Sequence, residues 1–244
     1  MRIARVVVLA VPLFGCWYEP ARAYRPFDGT DAAVAEPGEM EIELGPAEYL
    51  RDGAERTLFV PSTTLNYGFA PSWETVVEGN LAHGLSVGAR RTSLVGNGVF
   101  LKTVVREGSL QDKAGPSIAT EFGALLPEIR GERGTGASLA GIVSQRWEWA
   151  TLHLNAAASV TREHNADLFL GAIAEGPFEW PVRPVGELFY ERDLGRLTTR
   201  SALVGVTWQV RDNLAVDFGL RGARVNDHTA GETRAGVTFA FTVR

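Results

Sequence analysis

His83 and Ser86 are the two side chains of this 244-residue chain that come nearest to an acyl-transfer pair. A strand brings residues two apart onto one face, so a separation of three is wrong for a serine activated by a neighbouring histidine on an extended segment. No Gly-x-Ser-x-Gly elbow occurs either. His83 therefore reads as a solvated loop histidine, and no catalytic residue is predicted. His153 and Asn155 do share a face, but a single imidazole in that position more often makes a structural hydrogen bond than binds a metal. His164 and His228 lack a second ligand at useful spacing. No metal site and no cofactor follow. Glu74 and Glu78 resemble a carboxylate pair, yet four residues of extended chain hold them roughly 13 Å apart, beyond shared acid-base work. Gly96-Asn97-Gly98 and Gly134-Thr135-Gly136 lack the helix and lysine of a phosphate cradle and read as turns.

What recurs is alternation of period two. In residues 73–84, Trp73, Thr75, Val77, Gly79 and Leu81 share one face, while Glu74, Val76, Glu78 and Asn80 share the other. The same split sets Leu214, Val216, Phe218 and Leu220 against Ala215, Asp217, Gly219 and Arg221. It also sets Val237, Phe239 and Phe241 against Gly236, Thr238 and Ala240. Twelve strands are predicted: 38–50, 56–69, 73–82, 94–107, 116–126, 136–147, 149–161, 167–175, 184–191, 198–210, 213–224 and 232–243. Most reach the about 9 to 11 residues that a tilted strand needs to cross a bilayer. The fold class expected is all-β, a closed antiparallel transmembrane β-barrel of about twelve strands.

The N-terminus supplies an address. Arg2 and Arg5 precede an apolar run from Val6 to Phe14, too short for a transmembrane helix, and Ala21-Arg22-Ala23 fits a signal-peptidase site. Residues 1–23 are read as a signal peptide, 24–37 as a periplasmic lead-in and 38–244 as an outer-membrane barrel. Leu13-Phe14-Gly15-Cys16 offers a competing lipoprotein box, with Cys16 lipidated instead of removed. Cleavage after Ala23 leaves no cysteine, so no disulfide or thiolate chemistry. The formal net charge of −5, with no basic stripe, argues against nucleic acid.

With the N-terminus periplasmic, strands two, six and ten should end in tight turns, as Ala70-Pro71-Ser72, Glu148 and Arg211-Asp212-Asn213 suggest. Residues 83–93, 127–135 and 225–231 are the expected external loops. Residues 108–115 and 176–183 are long for periplasmic turns. Tyr67, Phe69, Trp73, Trp147, Trp149 and Trp208 gather at the short-turn end, where an interfacial girdle would lie.

On this orientation the inward charges are Glu41, Glu43, Glu74, Glu78, Lys102, Arg106, Glu121, Arg146, Glu187, Asp217, Arg221 and Arg234. Near balance in a confined space predicts paired charges and a largely filled lumen. Lys102, Arg106, Glu121 and Arg146 are the expected constriction. Glu187, Asp217 and Arg221 join them as lumen-facing binding candidates.

Gly38-Glu39-Met40-Glu41-Ile42-Glu43-Leu44, Tyr67-Gly68-Phe69-Ala70-Pro71-Ser72-Trp73-Glu74, Phe122-Gly123-Ala124-Leu125-Leu126-Pro127 and Val210-Arg211-Asp212-Asn213-Leu214-Ala215-Val216-Asp217 carry a family resemblance. Across most of the mature chain the sequence resembles the outer-membrane β-barrel family labelled with the MetA pathway of phenol degradation. The resemblance implies a porin-like transporter of small aromatic or other hydrophobic molecules. One departure is the C-terminus, Phe239-Ala240-Phe241-Thr242-Val243-Arg244, where such barrels usually end on an aromatic residue. The function expected is a non-enzymatic, monomeric channel in the bacterial outer membrane. Its partners would be outer-membrane lipid, the barrel-assembly machinery during biogenesis and a small-molecule solute. An outer-membrane hydrolase acting on lipid and a soluble periplasmic β-sandwich binding protein are the alternatives.

Overall fold

Alternating side chains with turn residues between them close this chain on itself. The computed structural model describes residues 25–86 and 91–243. The signal-peptide and Cys16 readings lie outside the described residues. The strands are β1 (Glu39–Asp52), β2 (Glu55–Ala70), β3 (Trp73–Gly84), β4 (Thr92–Arg106), β5 (Ser117–Leu125) and β6 (Gly136–Arg146). Then follow β7 (Thr151–Val160), β8 (Ala166–Glu175), β9 (Val182–Asp193), β10 (Leu197–Arg211), β11 (Leu214–Val225) and β12 (His228–Thr242). Every strand pairs antiparallel with its sequence neighbours, and β12 returns to β1 to close the barrel, from Glu39↔Thr242 to Asp52↔Ala230. Closure leaves no edge strand to be capped.

Pro46 and Pro61, which lack the N–H a ladder requires, sit inside the register shifts of β1 and β2, where pairing is already interrupted. Tight turns at Pro71-Ser72, Asp212-Asn213, Gly53-Ala54 and Asn226-Asp227 join long strands. The last corrects the expected loop at 225–231: β11 and β12 continue to within two residues of each other. The longer distal connections are residues 85–91 and 126–135.

The faces are inside out relative to a water-soluble domain. Leu188 and Val204 are 65% and 66% exposed at mid-strand, and Leu139, Leu154, Leu170, Phe218 and Leu220 extend the same outward apolar band. Soluble monomers rarely expose so continuous an apolar surface. The inward side chains are polar: Lys102, Glu74, Glu187, Asp217, Ser144, His153 and Thr238 are all buried. At the end bearing the termini, Phe69 packs on Trp73 at 6.3 Å, Trp147 on Trp149 at 5.7 Å and Phe239 on Phe241 at 5.4 Å. Trp180 and Trp208 are exposed at that same end.

Candidate functional site

The sequence reading puts residues 24–37 ahead of the barrel as a periplasmic lead-in; residues 25–36 instead run inside it as a strap. With no neighbouring strand to pair with, the strap's backbone is satisfied by inward side chains. Glu187 accepts from the Asp28 and Gly29 N–H groups at 3.0 and 2.7 Å. Asn155 exchanges two hydrogen bonds with the Thr30 backbone, at 3.0 and 2.9 Å, as a strand partner would. Ser144 Oγ accepts from Ala32 N at 2.9 Å, and Glu74 accepts from Ala35 N at 2.7 Å.

Ion pairs add to this. Arg221 and Arg234 bind Asp28 at 3.1 and 2.9 Å, Lys102 lies 3.7 Å from Asp31, and Arg25 pairs with Glu48. Burial works against ionisation of Asp28, yet the Arg234 and Arg221 guanidinium groups outweigh it and hold the carboxyl below its usual value. The strap leaves past Gly68, where a Cβ would sit 2.2 Å from the Glu36 carbonyl; only glycine admits this passage.

The two connections that are long for periplasmic turns also close the terminal half. Residues 107–116 fold inward around a 3-10 turn, Ser109–Gln111, whose Leu110 is 1% exposed and packs with Ala32, Ala33, Ala119 and Ile142. Gln111 Nε2 donates to the Ala32 carbonyl at 3.0 Å, tying connector to strap. From the connection after β8, Phe178 lies beneath the Arg146 guanidinium, 4.0 Å from the ring centre.

Beyond the strap, toward the loop end, the lumen widens into a cavity of about 590 Å³. Its charge is lopsided. Glu78, Glu121 and Glu191 face it with no hydrogen bond or ion pair among the described residues, while Asp167 accepts from Ser159 and Glu43 from Asn66 without an ion pair among the described residues. Its four cations are already engaged. Arg25 serves Glu48, Ser62 and Asp217, and Lys102 serves Glu74, Asp31 and Thr30. Arg162 binds the Leu126 and Asn97 carbonyls, and Arg196 binds Glu163. Phe100 and Phe169 supply aromatic surface between the carboxylates. At the mouth, burial together with Glu163 and Glu128 raises the Glu132 carboxyl above its usual value.

The seven residues singled out from the sequence fall into separate places. Lys102 and Glu121 are cross-strand partners, and Lys102 lies 3.4 Å from Glu74 on its other side, so these two stand in one inward row. Arg106 is exposed at the terminal end, donating to the Pro116 carbonyl, and Arg146 sits on Phe178. The expected four-residue constriction is therefore not assembled; the strap narrows the lumen instead. Glu187, Asp217 and Arg221 all serve the strap. Glu48, Ser144 and Glu191 were missed, although inward alternation and the single-residue offset at the β1 bulge identify them; Asn155 was placed beside His153 on one face but given no role.

Ser144 Oγ, His153 and Glu175 form a hydrogen-bonded chain at 2.8 and 2.9 Å. Its order resembles a nucleophile triad, but Ser144 is fully buried and already receives the Ala32 N–H, so no substrate carbonyl reaches it. The chain fixes the strap. His83 bonds Thr92, while Ser86 bonds the Arg56 N–H. Among the described residues no group of three metal-ligating side chains is gathered.

No family model matches the chain, and no curated protein matches it. Solved structures do. The KdgM porin aligns with a TM-score of 0.56 at 15% identity, covering 82% of this chain and 99% of that one. An outer membrane channel from Pseudomonas putida F1 aligns with a TM-score of 0.64 at 8% identity, covering 88% and 100%. The NanC porin gives 0.56 at 7% identity, covering 82% and 98%. At these identities what is shared is the fold, a closed antiparallel β-barrel.

Proposed function

We propose that the chain is a non-enzymatic outer-membrane channel for small solutes, monomeric, with the termini periplasmic, and that it prefers positively charged organic molecules over anions. The observation that carries the reading is the cavity whose carboxylates outnumber its free cations, inside a barrel whose outer wall is apolar. An anion entering it would meet Glu78, Glu121 and Glu191 in a space that screens charge poorly. An ammonium group would be drawn in, and the Phe100 and Phe169 rings would favour it further. The aromatic solutes implied by the resemblance to the MetA-pathway family fit those rings, and the carboxylates add a preference for aromatic compounds bearing an amine.

The test is a planar bilayer holding the full mature chain under a potassium chloride gradient. The expected zero-current potential has the sign of cation selectivity, and Glu78→Gln/Glu121→Gln/Glu191→Gln moves it toward zero. An anion-selective wild type rejects the charge preference. A folded barrel with neither conductance nor solute flux rejects the channel.

A further inference from the structure

Five arginines interrupt the outward face near the loop end: Arg192 on β9, Arg200 on β10, Arg224 on β11, Arg51 on β1 and Arg56 on β2. All are exposed, and no ion pair is made by any of them among the described residues. Their register is unfavourable. Arg200 stands directly opposite Arg224, and Arg51 directly opposite Arg56, so two like-charged pairs share a face across adjacent strands. Arg192 lies diagonal to Arg200, two residues beyond Tyr190, the direct partner of Arg200.

Between the two pairs a groove of about 540 Å³ is lined by Arg51, Arg224, Thr229 and Gly231, and also by Asp227 and His228. His228 is held by Asp52. Immediately toward the barrel waist come Tyr49 and Tyr190, and then Leu188, Val204 and Leu220 of the apolar band. Directly opposed guanidinium groups repel one another, an anion between them relieves that repulsion, and planar forks of donors suit phosphate.

We propose that this belt binds the phosphates of a phosphorylated glycolipid in the outer leaflet, whose acyl chains then lie along the apolar band. The inference rests on the outer-membrane reading, with the arginine end outermost. It concerns the outer wall and makes no use of the lumen.

The test uses the full mature barrel in neutral detergent micelles, with a bis-phosphorylated glucosamine lipid as probe. Wild type is expected to bind it and to unfold at a higher temperature in its presence. In Arg51→Gln/Arg56→Gln and Arg200→Gln/Arg224→Gln, binding weakens by about tenfold or more, the worth of at least one charged hydrogen bond. Without lipid both variants should melt no lower than wild type, because each loses a repulsive pair. Arg130→Gln/Arg133→Gln, on a distal connection, leaves binding unchanged.

The proposal is overturned if the pair variants bind like wild type, if the dephosphorylated glucosamine lipid binds as tightly, or if inorganic phosphate gives the same thermal gain. If one pair variant fails to fold, the other decides. A chain that stays in water without detergent overturns the membrane reading itself. A chain that folds as a barrel but ignores the lipid phosphates overturns only the belt.

Discussion

Asp28 receives two guanidinium groups and offers its own N–H to Glu187, which makes it the most heavily tied residue of the strap. Replacing it with asparagine leaves Glu232 as the one carboxylate paired with Arg221 and Arg234 among the described residues. The expected loss of strap anchoring is about 2 to 3 kcal/mol, below the fully buried case because the Asp28 side chain keeps 26% exposure. Its lowered pKa means that the docked strap binds fewer protons than the released one. Anchoring from this residue is complete above its ordinary value near 3.8 and is lost as pH falls through the lowered value. Wild-type conductance should therefore rise at the acid end, whereas Asp28→Asn should be high throughout; identical profiles would show that Asp28 does not hold the strap. Glu187→Ala strands two backbone donors and Ser144→Ala only one, so the first should open the lumen more often than the second.

At the scale of elements, all twelve strands were legible because period-two alternation and turn residues are local signals. Trp73 through Leu81 could be assigned to faces before any partner strand was known. The strap was not legible, since its backbone is satisfied by side chains far away in sequence: Asn155 for Thr30, Ser144 for Ala32, Glu74 for Ala35. Nothing in residues 24–37 alone announces those partners. Residues 108–115 gave a partial sign, being too long for a turn, and Leu110 shows what the extra length does. Leu110→Ala removes the side chain that joins connector to strap, and a cost of about 2 to 4 kcal/mol is expected from the thermal unfolding of the barrel. Excision of residues 25–36 removes the strap altogether, and single-channel conductance should rise several-fold over wild type. Unchanged conductance would place the narrowest point in the connector after β4.

For the molecule as a whole, the decisive property is the inversion of polarity between wall and lumen. Leu188 lies near the middle of β9, 65% exposed, and its outward neighbours Val204 and Leu170 are similarly bare. If water bathed that surface, Leu188→Arg would replace one exposed side chain by another and change stability by no more than about 0.5 kcal/mol. If acyl chains bathe it, the same substitution places a guanidinium at the bilayer midplane, at a cost of about 2 to 4 kcal/mol. The two environments thus separate by several-fold in energy at one position. Folding titrations in lipid vesicles, read by the difference in gel mobility between unheated and boiled samples, measure that cost directly. A loss of about 2 kcal/mol or more is expected for Leu188→Arg, and a much smaller one for Arg200→Leu in the polar belt above it. Equal, negligible effects at both positions would mean that the apolar band does not face lipid, and the channel reading would fall with it.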